Sequence, residues 1–185
     1  MIQNYKLSRE KTALLVVDVQ ERLFREVERP CEVLPVMQTV IKGFQVMRLP
    51  IVITEQYPQG LGPTVTGIKN CLEGDYSLFT KTTFSCLGDK QIKDYILNLS
   101  VTQWVLIGIE AHVCILQTAK DLLAEGRQVV ILNDAITSRS IFDFSTAISE
   151  LRDCGARISS AETVLFELLG DSKAAEFKEI SQLVK

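Results

Sequence analysis

Runs of branched apolar residues, each closed by a polar residue and followed by apolar positions at helical spacing, recur along the chain. They predict strands alternating with helices. The first run, residues 12–19, is apolar except for Thr12 and, near its end, Asp18. Such continuity predicts a strand buried on both faces, as in a parallel sheet. Residues 21–27 are helix-like, Pro30 breaks that pattern, and Val36, Val40, Phe44 and Met47 then recur on one helical face. Residues 50–54 are the second strand. The Pro- and Gly-rich residues 55–64 predict a long irregular loop, placed to wall a pocket at the C-terminal end of the sheet. A short edge strand over 77–80 delivers Lys81. Residues 82–88 are a turn, and Asp89 is placed to cap a helix carrying Ile92, Tyr95, Ile96 and Leu99.

The central unit spans residues 104–117, an apolar strand through Gly108, a Glu110-Ala111-His112 turn, and a helix running from Cys114 through Ala119, Leu122 and Leu123. Gly126 reads as its stop, residues 128–132 as the fifth strand and 133–140 as a polar loop. Asp143 is placed to cap a helix that ends at Cys154-Gly155. Residues 157–160 are a weak sixth strand, and 161–169 and 171–183 are closing helices. This alternation predicts one domain over 1–185, a three-layer α/β/α (Rossmann-like) fold with a mostly parallel six-stranded sheet in the order 3-2-1-4-5-6. In that order the first and fourth strands are neighbours at the switch point. Asp18 and Cys114 then face each other, with Lys81 on the same edge.

Composition narrows the partners. The 185 residues, 46% apolar and 23% charged, suffice for a core without staples. A formal charge of -3 leaves no basic footprint for nucleic acid or an anionic membrane, so a small-molecule substrate is expected. Residues 1–11 lack the apolar core of a signal peptide, and no later run is long enough to span a bilayer; the expected location is cytoplasmic. Cys31, Cys71, Cys86, Cys114 and Cys154 are odd in number and scattered, without a C-x-x-C pair. Neither a disulfide framework nor a zinc knuckle is indicated, and the sequence offers Cys114 no nearby resolving cysteine. The single histidine, His112, excludes sites needing two or three His ligands; no metal or cofactor is expected. His112 itself reads as a turn, rim or interface residue.

Taken singly, Asp18, Lys81 and Cys114 have plain readings as a strand-end carboxylate, a surface lysine and a small buried filler. Together they have a chemical logic. A thiol on the first helical turn is favoured as thiolate by the helix dipole. Asp18 can take its proton and later deliver it to a leaving group, while Lys81 offsets the accumulating negative charge. Backbone N–H groups around Glu110 and Cys114 are placed to receive an oxyanion. The reaction so predicted is hydrolysis by acyl transfer through a thioester-type intermediate.

The segments Leu14-Leu-Val-Val-Asp-Val-Gln20, Phe79-Thr-Lys-Thr-Thr-Phe-Ser85 and Gly108-Ile-Glu-Ala-His-Val-Cys114 resemble the isochorismatase-like cysteine hydrolases. Residues 54–64 and 177–183 resemble more narrowly the small isochorismatase domain-containing proteins. The resemblance implies an Asp-Lys-Cys triad at Asp18, Lys81 and Cys114, a six-stranded parallel sheet, and a cis peptide at Ile109-Glu110 that aims the Glu110 N–H into an oxyanion hole. It also suggests a homo-oligomer and, by analogy, a pocket lined by Phe24, Gln56, Tyr57 and Phe84. Nicotinamidases of the family carry an Asp-x-His pair and a second histidine where this chain reads Glu55-Gln56-Tyr57, which argues against that activity. Isochorismatases that cleave a vinyl ether lack the nucleophile that Cys114 supplies. Hydrolysis of a small amide or a related acyl transfer remains, beside the alternative of a non-catalytic or redox-responsive ligand-binding protein on the same fold.

Overall fold

Alternation along the first strand divides the interior in two. In β1 (Thr12–Val17), Leu14 and Val16 face one apolar layer while Ala13, Leu15 and Val17 face the other. The computed structural model describes residues 6–185, so the first five residues of the expected leader and of the 1–185 domain lie outside the described residues. After β1 come α1 (Glu21–Phe24), α2 (Pro30–Val46), β2 (Ile51–Gln56), α3 (Pro58–Leu61), α4 (Thr66–Lys69), β3 (Ser77–Lys81) and α5 (Lys90–Asn98). The chain continues through β4 (Gln103–Ile109), α6 (Leu116–Ala124), β5 (Gln128–Thr137), α7 (Ile141–Asp153), β6 (Arg157–Ser159), α8 (Ala161–Leu169) and α9 (Phe177–Leu183). The strands form one sheet in the order β3-β2-β1-β4-β5-β6, parallel at every pairing. Helices α2, α8 and α9 cover the layer containing Leu14, and α5, α6 and α7 cover the opposite one. This is the predicted order and layering. No helix among the described residues is long and apolar enough to cross a membrane.

Several boundaries move for physical reasons. Pro30 begins α2 instead of preceding it, at the first helical position where its missing N–H costs nothing. The stretch 55–64 is not irregular throughout. β2 runs on to Gln56, and a helical turn follows at α3. Buried polar side chains hold this segment. Gln20 donates to the carbonyls of Gln56 (2.9 Å) and Gly62 (2.6 Å) and accepts the Gln56 N–H, while Glu55 accepts both the N–H and the hydroxyl of Thr64. The cap of α7 is Ser140, whose hydroxyl accepts from Phe142 and Asp143 N–H; Asp143 sits in the first turn instead. The last helix starts at Phe177, later than the pattern suggests.

β5 extends through the predicted loop to Thr137. It pairs with β4 at Leu106↔Ile131 and again at Gly108↔Ile136, so β4 advances two residues while β5 advances five. This bulge turns Asp134 out, where both carboxylate oxygens accept the Ala161 N–H at 3.0 Å and cap α8. The strand then rejoins β4 and delivers Ser138 and Arg139 beyond its C-terminal end.

Gly108 makes the approach of β1 and β4 possible. It pairs with Val17 at φ 139°, and a Cβ there would lie 2.2 Å from the Val17 carbonyl oxygen and 2.8 Å from its nitrogen. No side chain fits without parting the two strands that carry Asp18 and lead to Cys114. Gly108→Ala is expected to destabilise the fold by ~2–3 kcal/mol or more, measured as a lowered denaturant midpoint at unchanged slope. A midpoint within experimental error of the native chain would refute this role.

Candidate active site

β1 ends one residue before Asp18, which turns into the left-handed region at φ 54°. Its N–H donates to the Thr54 carbonyl at 3.1 Å, and its carbonyl accepts the Gln20 N–H. The carboxylate, with a fully buried side chain, is thereby aimed over the end of the sheet. Lys81 ends β3, two strands away, a separation of roughly 9.6 Å. Its long side chain crosses the end of β2 and meets Asp18 Oδ2 at 2.6 Å, again with no exposed surface. The remaining donor capacity of the ammonium goes to Gln56 Oε1 (3.2 Å) and the carbonyls of Thr83 (3.2 Å) and Phe84 (3.1 Å). A buried ammonium is tolerated only with this degree of pairing.

The turn supplying those two carbonyls is docked on α6. Ser85 donates to Asp121 at 2.6 Å and caps the short 3₁₀ turn Cys86–Gly88, and the Cys86 N–H donates to the Thr118 hydroxyl at 3.0 Å. The sulfur of Cys86, fully buried, lies 3.7 Å from Thr54 Oγ1, which in turn donates to Asp18 Oδ1 at 2.8 Å. The fold thus supplies a second thiol beside Asp18, which sequence separation concealed.

Between β4 and α6 the chain forms a wide π turn, Ala111–Ile115, and Cys114 lies within it, buried and facing the cleft. Its thiol lies near enough to the Asp18 carboxylate to be perturbed by its charge. Burial pushes this thiol up, the Asp18 charge pushes it further, and Lys81 pulls it down only in part. The expectation that the helix N-terminus lowers its pKa is therefore corrected, because desolvation and the adjacent carboxylate outweigh the dipole. Both effects favour the neutral thiol at rest. Burial opposes the charge on Lys81, but the Asp18 carboxylate chiefly outweighs it and the ammonium is held above its ordinary range. Burial and the same carboxylate push Cys86 up to about 11.

The cis peptide expected at Ile109-Glu110 is also corrected, since the described residues contain no cis bond. Glu110 reverses the chain through left-handed angles, φ 58° and ψ 56°, and its carbonyl accepts the Val113 N–H. The Glu110 side chain is held by Arg139, with Nε at 2.9 Å from Oε1 and Nη2 at 3.4 Å from Oε2. His112 Nδ1 meets Ser138 Oγ at 3.1 Å, and Nε2 lies 3.6 Å from Glu110 Oε2 and 3.9 Å from Asp143 Oδ2. The histidine thus belongs to the rim and braces Glu110.

A cleft of about 410 Å³ opens above Cys114, walled by Leu23, Gln56, Tyr57, Leu61, Phe84, Val113 and the Glu110–Arg139 pair. Of the four residues expected there, Gln56, Tyr57 and Phe84 line it. Phe24 packs against the core layer, and its neighbour Leu23 takes the wall position, because one step along a helical turn rotates the side chain by about 100°. Tyr57 adopts φ 36° and lies over Gly60, where a Cβ would come within 2.4 Å of its ring. No cluster of metal-ligating side chains occurs among the described residues.

Because burial and the Asp18 charge push the thiol up, iodoacetamide alkylation of Cys114, followed by peptide mass spectrometry, is expected to keep rising beyond about pH 9 instead of levelling near the ordinary thiol value of ~8.5. Asp18→Asn removes the carboxylate charge and is expected to bring that rise to lower pH. Levelling at or below about pH 8.5 in the native chain would contradict this protonation state.

Comparison with known proteins identifies the family and the fold. A model of the isochorismatase domain matches residues 12–163. Isochorismatase domain-containing protein 2 of Bos taurus is 40% identical over 174 residues, covering 93% of this chain and 82% of the relative. The MAR1 ribonuclease of Caenorhabditis elegans superposes with a TM-score of 0.91 at 34% identity, over 97% of this chain and 92% of that one. The Escherichia coli YcaC gene product, described as an octameric hydrolase of unknown specificity, has a TM-score of 0.89 at 20% identity over 97% and 89% of the two chains, a likeness of fold. With the domain matched along most of its length and a relative at 40% identity, the chain belongs to the isochorismatase family.

Proposed function

We propose that the chain is a single-domain cysteine hydrolase in which Asp18, Lys81 and Cys114 cleave a small amide or a related acyl substrate. The observation that carries this reading is the buried 2.6 Å Lys81–Asp18 pair, with Cys114 nearby in the lining of a cleft. When a carbonyl carbon reaches the sulfur, Asp18 takes the thiol proton as the S–C bond forms, so the thiolate never accumulates in the free enzyme. Lys81 stays charged and stabilises whichever of the two groups is anionic. The N–H groups of Glu110 and Cys114 receive the carbonyl oxygen as it becomes an oxyanion. Collapse of the adduct expels the leaving amine, which takes the proton from Asp18 and leaves a thioester on Cys114. Water, deprotonated by Asp18, releases the acid and returns the proton to the sulfur.

The cleft favours a compact, largely uncharged substrate. Its walls are mostly apolar, and the lining arginine is already engaged by Glu110. The C. elegans relative bears the name of a ribonuclease, but a chain of net charge -3 offers little to a phosphate backbone. We further propose a homo-oligomer active in the cytoplasm, its contacts including the first turn of α7, where Ile141 is exposed and Phe142 is 82% exposed beside Arg139.

Intact-mass spectrometry of the protein with a panel of small amides and esters is expected to reveal a transient acyl adduct. The adduct should be lost in Cys114→Ala and weakened in Lys81→Ala, with turnover falling at least ~10³-fold in Cys114→Ala. Undiminished product from Cys114→Ala, or cleavage of an RNA oligonucleotide included in the panel with no amide or ester turned over, would refute the proposal.

A further inference from the structure

Thr54 and Cys86 are fully buried against the triad and take no part in the chemistry above. Their hydrogen bonds have a fixed direction. An ionised carboxylate only accepts, so the single hydroxyl proton of Thr54 points at Asp18 Oδ1, 2.8 Å away. The Thr54 oxygen then offers only lone pairs to Cys86 Sγ at 3.7 Å, and the Cys86 S–H is the donor. Cys86 is held in turn by its own N–H on Thr118, one helical turn beyond Cys114. The chain of donors runs from Cys86 to Thr54 to Asp18 and is anchored on the segment that carries the nucleophile. The titratable groups facing Asp18 are Lys81 from β3, Cys114 from the π turn and Cys86 from the 3₁₀ turn. Thr54, from β2, is the uncharged donor among them.

Asp18 and Cys114 share one proton between two arrangements, thiol with carboxylate or thiolate with carboxylic acid. A donor aimed at the carboxylate stabilises the first arrangement more than the second, in which the neutral acid is the weaker acceptor. We infer that Thr54 is a positioning residue whose hydroxyl, aimed by Cys86, fixes Asp18 Oδ1 as an acceptor and so keeps the shared proton on the Cys114 sulfur until substrate binds. This rests on the reading of Asp18 as the base for Cys114. A nucleophile held as thiol is slow to react with stray electrophiles and peroxides, while the base that activates it stays in contact.

The test uses iodoacetamide alkylation of Cys114 across pH, resolved from the other cysteines by peptide mass, in native protein, Thr54→Val, Thr54→Ser, Cys86→Ala and Asp18→Asn. Thr54→Val keeps the shape and removes the donor. It is expected to raise the Cys114 rate near neutral pH by roughly tenfold, equivalent to a downward shift of about one pH unit in the sulfur's titration. Thr54→Ser is expected to restore the native rate, and Cys86→Ala to move it in the same direction as Thr54→Val but less. A purely structural threonine would lower the melting temperature without moving the profile. An alkylation profile for folded Thr54→Val that matches native protein and Thr54→Ser overturns the inference. Should Thr54→Val fail to fold, an unchanged rate in Cys86→Ala overturns it equally. An unmoved profile in Asp18→Asn would instead remove the underlying reading of Asp18 as the base, whereas movement in Asp18→Asn without movement in Thr54→Val removes the role of Thr54 alone.

Discussion

The ion pair between Lys81 and Asp18, with neither side chain exposed, is the constraint around which the structure is arranged. Removing two opposite charges from water costs several kcal/mol per ion, and their attraction repays this only when the remaining donors and lone pairs are also satisfied. That requirement reaches far along the chain. Gln56 must place an amide oxygen on β2, the 82–88 turn must present two carbonyls, and α6 must hold that turn through Asp121 and Thr118. Polar residues therefore occupy the C-terminal end of β2, whereas its first three residues, Ile51 to Ile53, are apolar.

Three of the five non-glycine residues at positive φ among the described residues lie at this same edge. Asp18, Tyr57 and Glu110 are non-glycine residues at positive φ, just beyond β1, β2 and β4 respectively. Each such residue costs about 1–3 kcal/mol and persists where its surroundings over-determine it. Asp18 is held by Lys81 and Thr54, Tyr57 by its N–H on the Lys81 carbonyl at 2.8 Å, and Glu110 by Arg139. Side chains of the site thus pay for the turns that aim them, so binding geometry and fold stability draw on the same contacts.

The protonation state of Cys114 follows from this economy of contacts. A cysteine exposed at a regular helix start would be ionised by the dipole. Here burial and the nearby Asp18 carboxylate oppose that tendency. On the proposed reading the cysteine is activated by proton transfer to Asp18 and not by standing ionisation, which gives the network around Asp18 more weight than the helix.

Strand order, the two apolar layers and the placement of Asp18, Lys81 and Cys114 at strand ends were legible in the sequence, because continuous apolar runs mark buried parallel strands and a polar residue closing such a run must lie at the sheet edge. The right-handed crossover rule then sets which edges meet. What the tertiary structure alone decided involves contacts between segments distant in sequence. Cys86 joins the site through Thr54 and Thr118, 32 residues to either side of it. Leu23 replaces Phe24 at the cleft wall because the rotation of a single helical turn is fixed by its packing. The bulge of β5 and the pinning of residues 57–64 by Gln20 and Glu55 depend on pairings that local composition does not encode. The sequence by itself determined which groups are present and at which edge they emerge, since these follow from period and polarity. Only the folded packing decided which polar atoms touch, and with them the direction in which the Cys114 thiol is shifted, since desolvation and hydrogen bonding act across space and not along the chain.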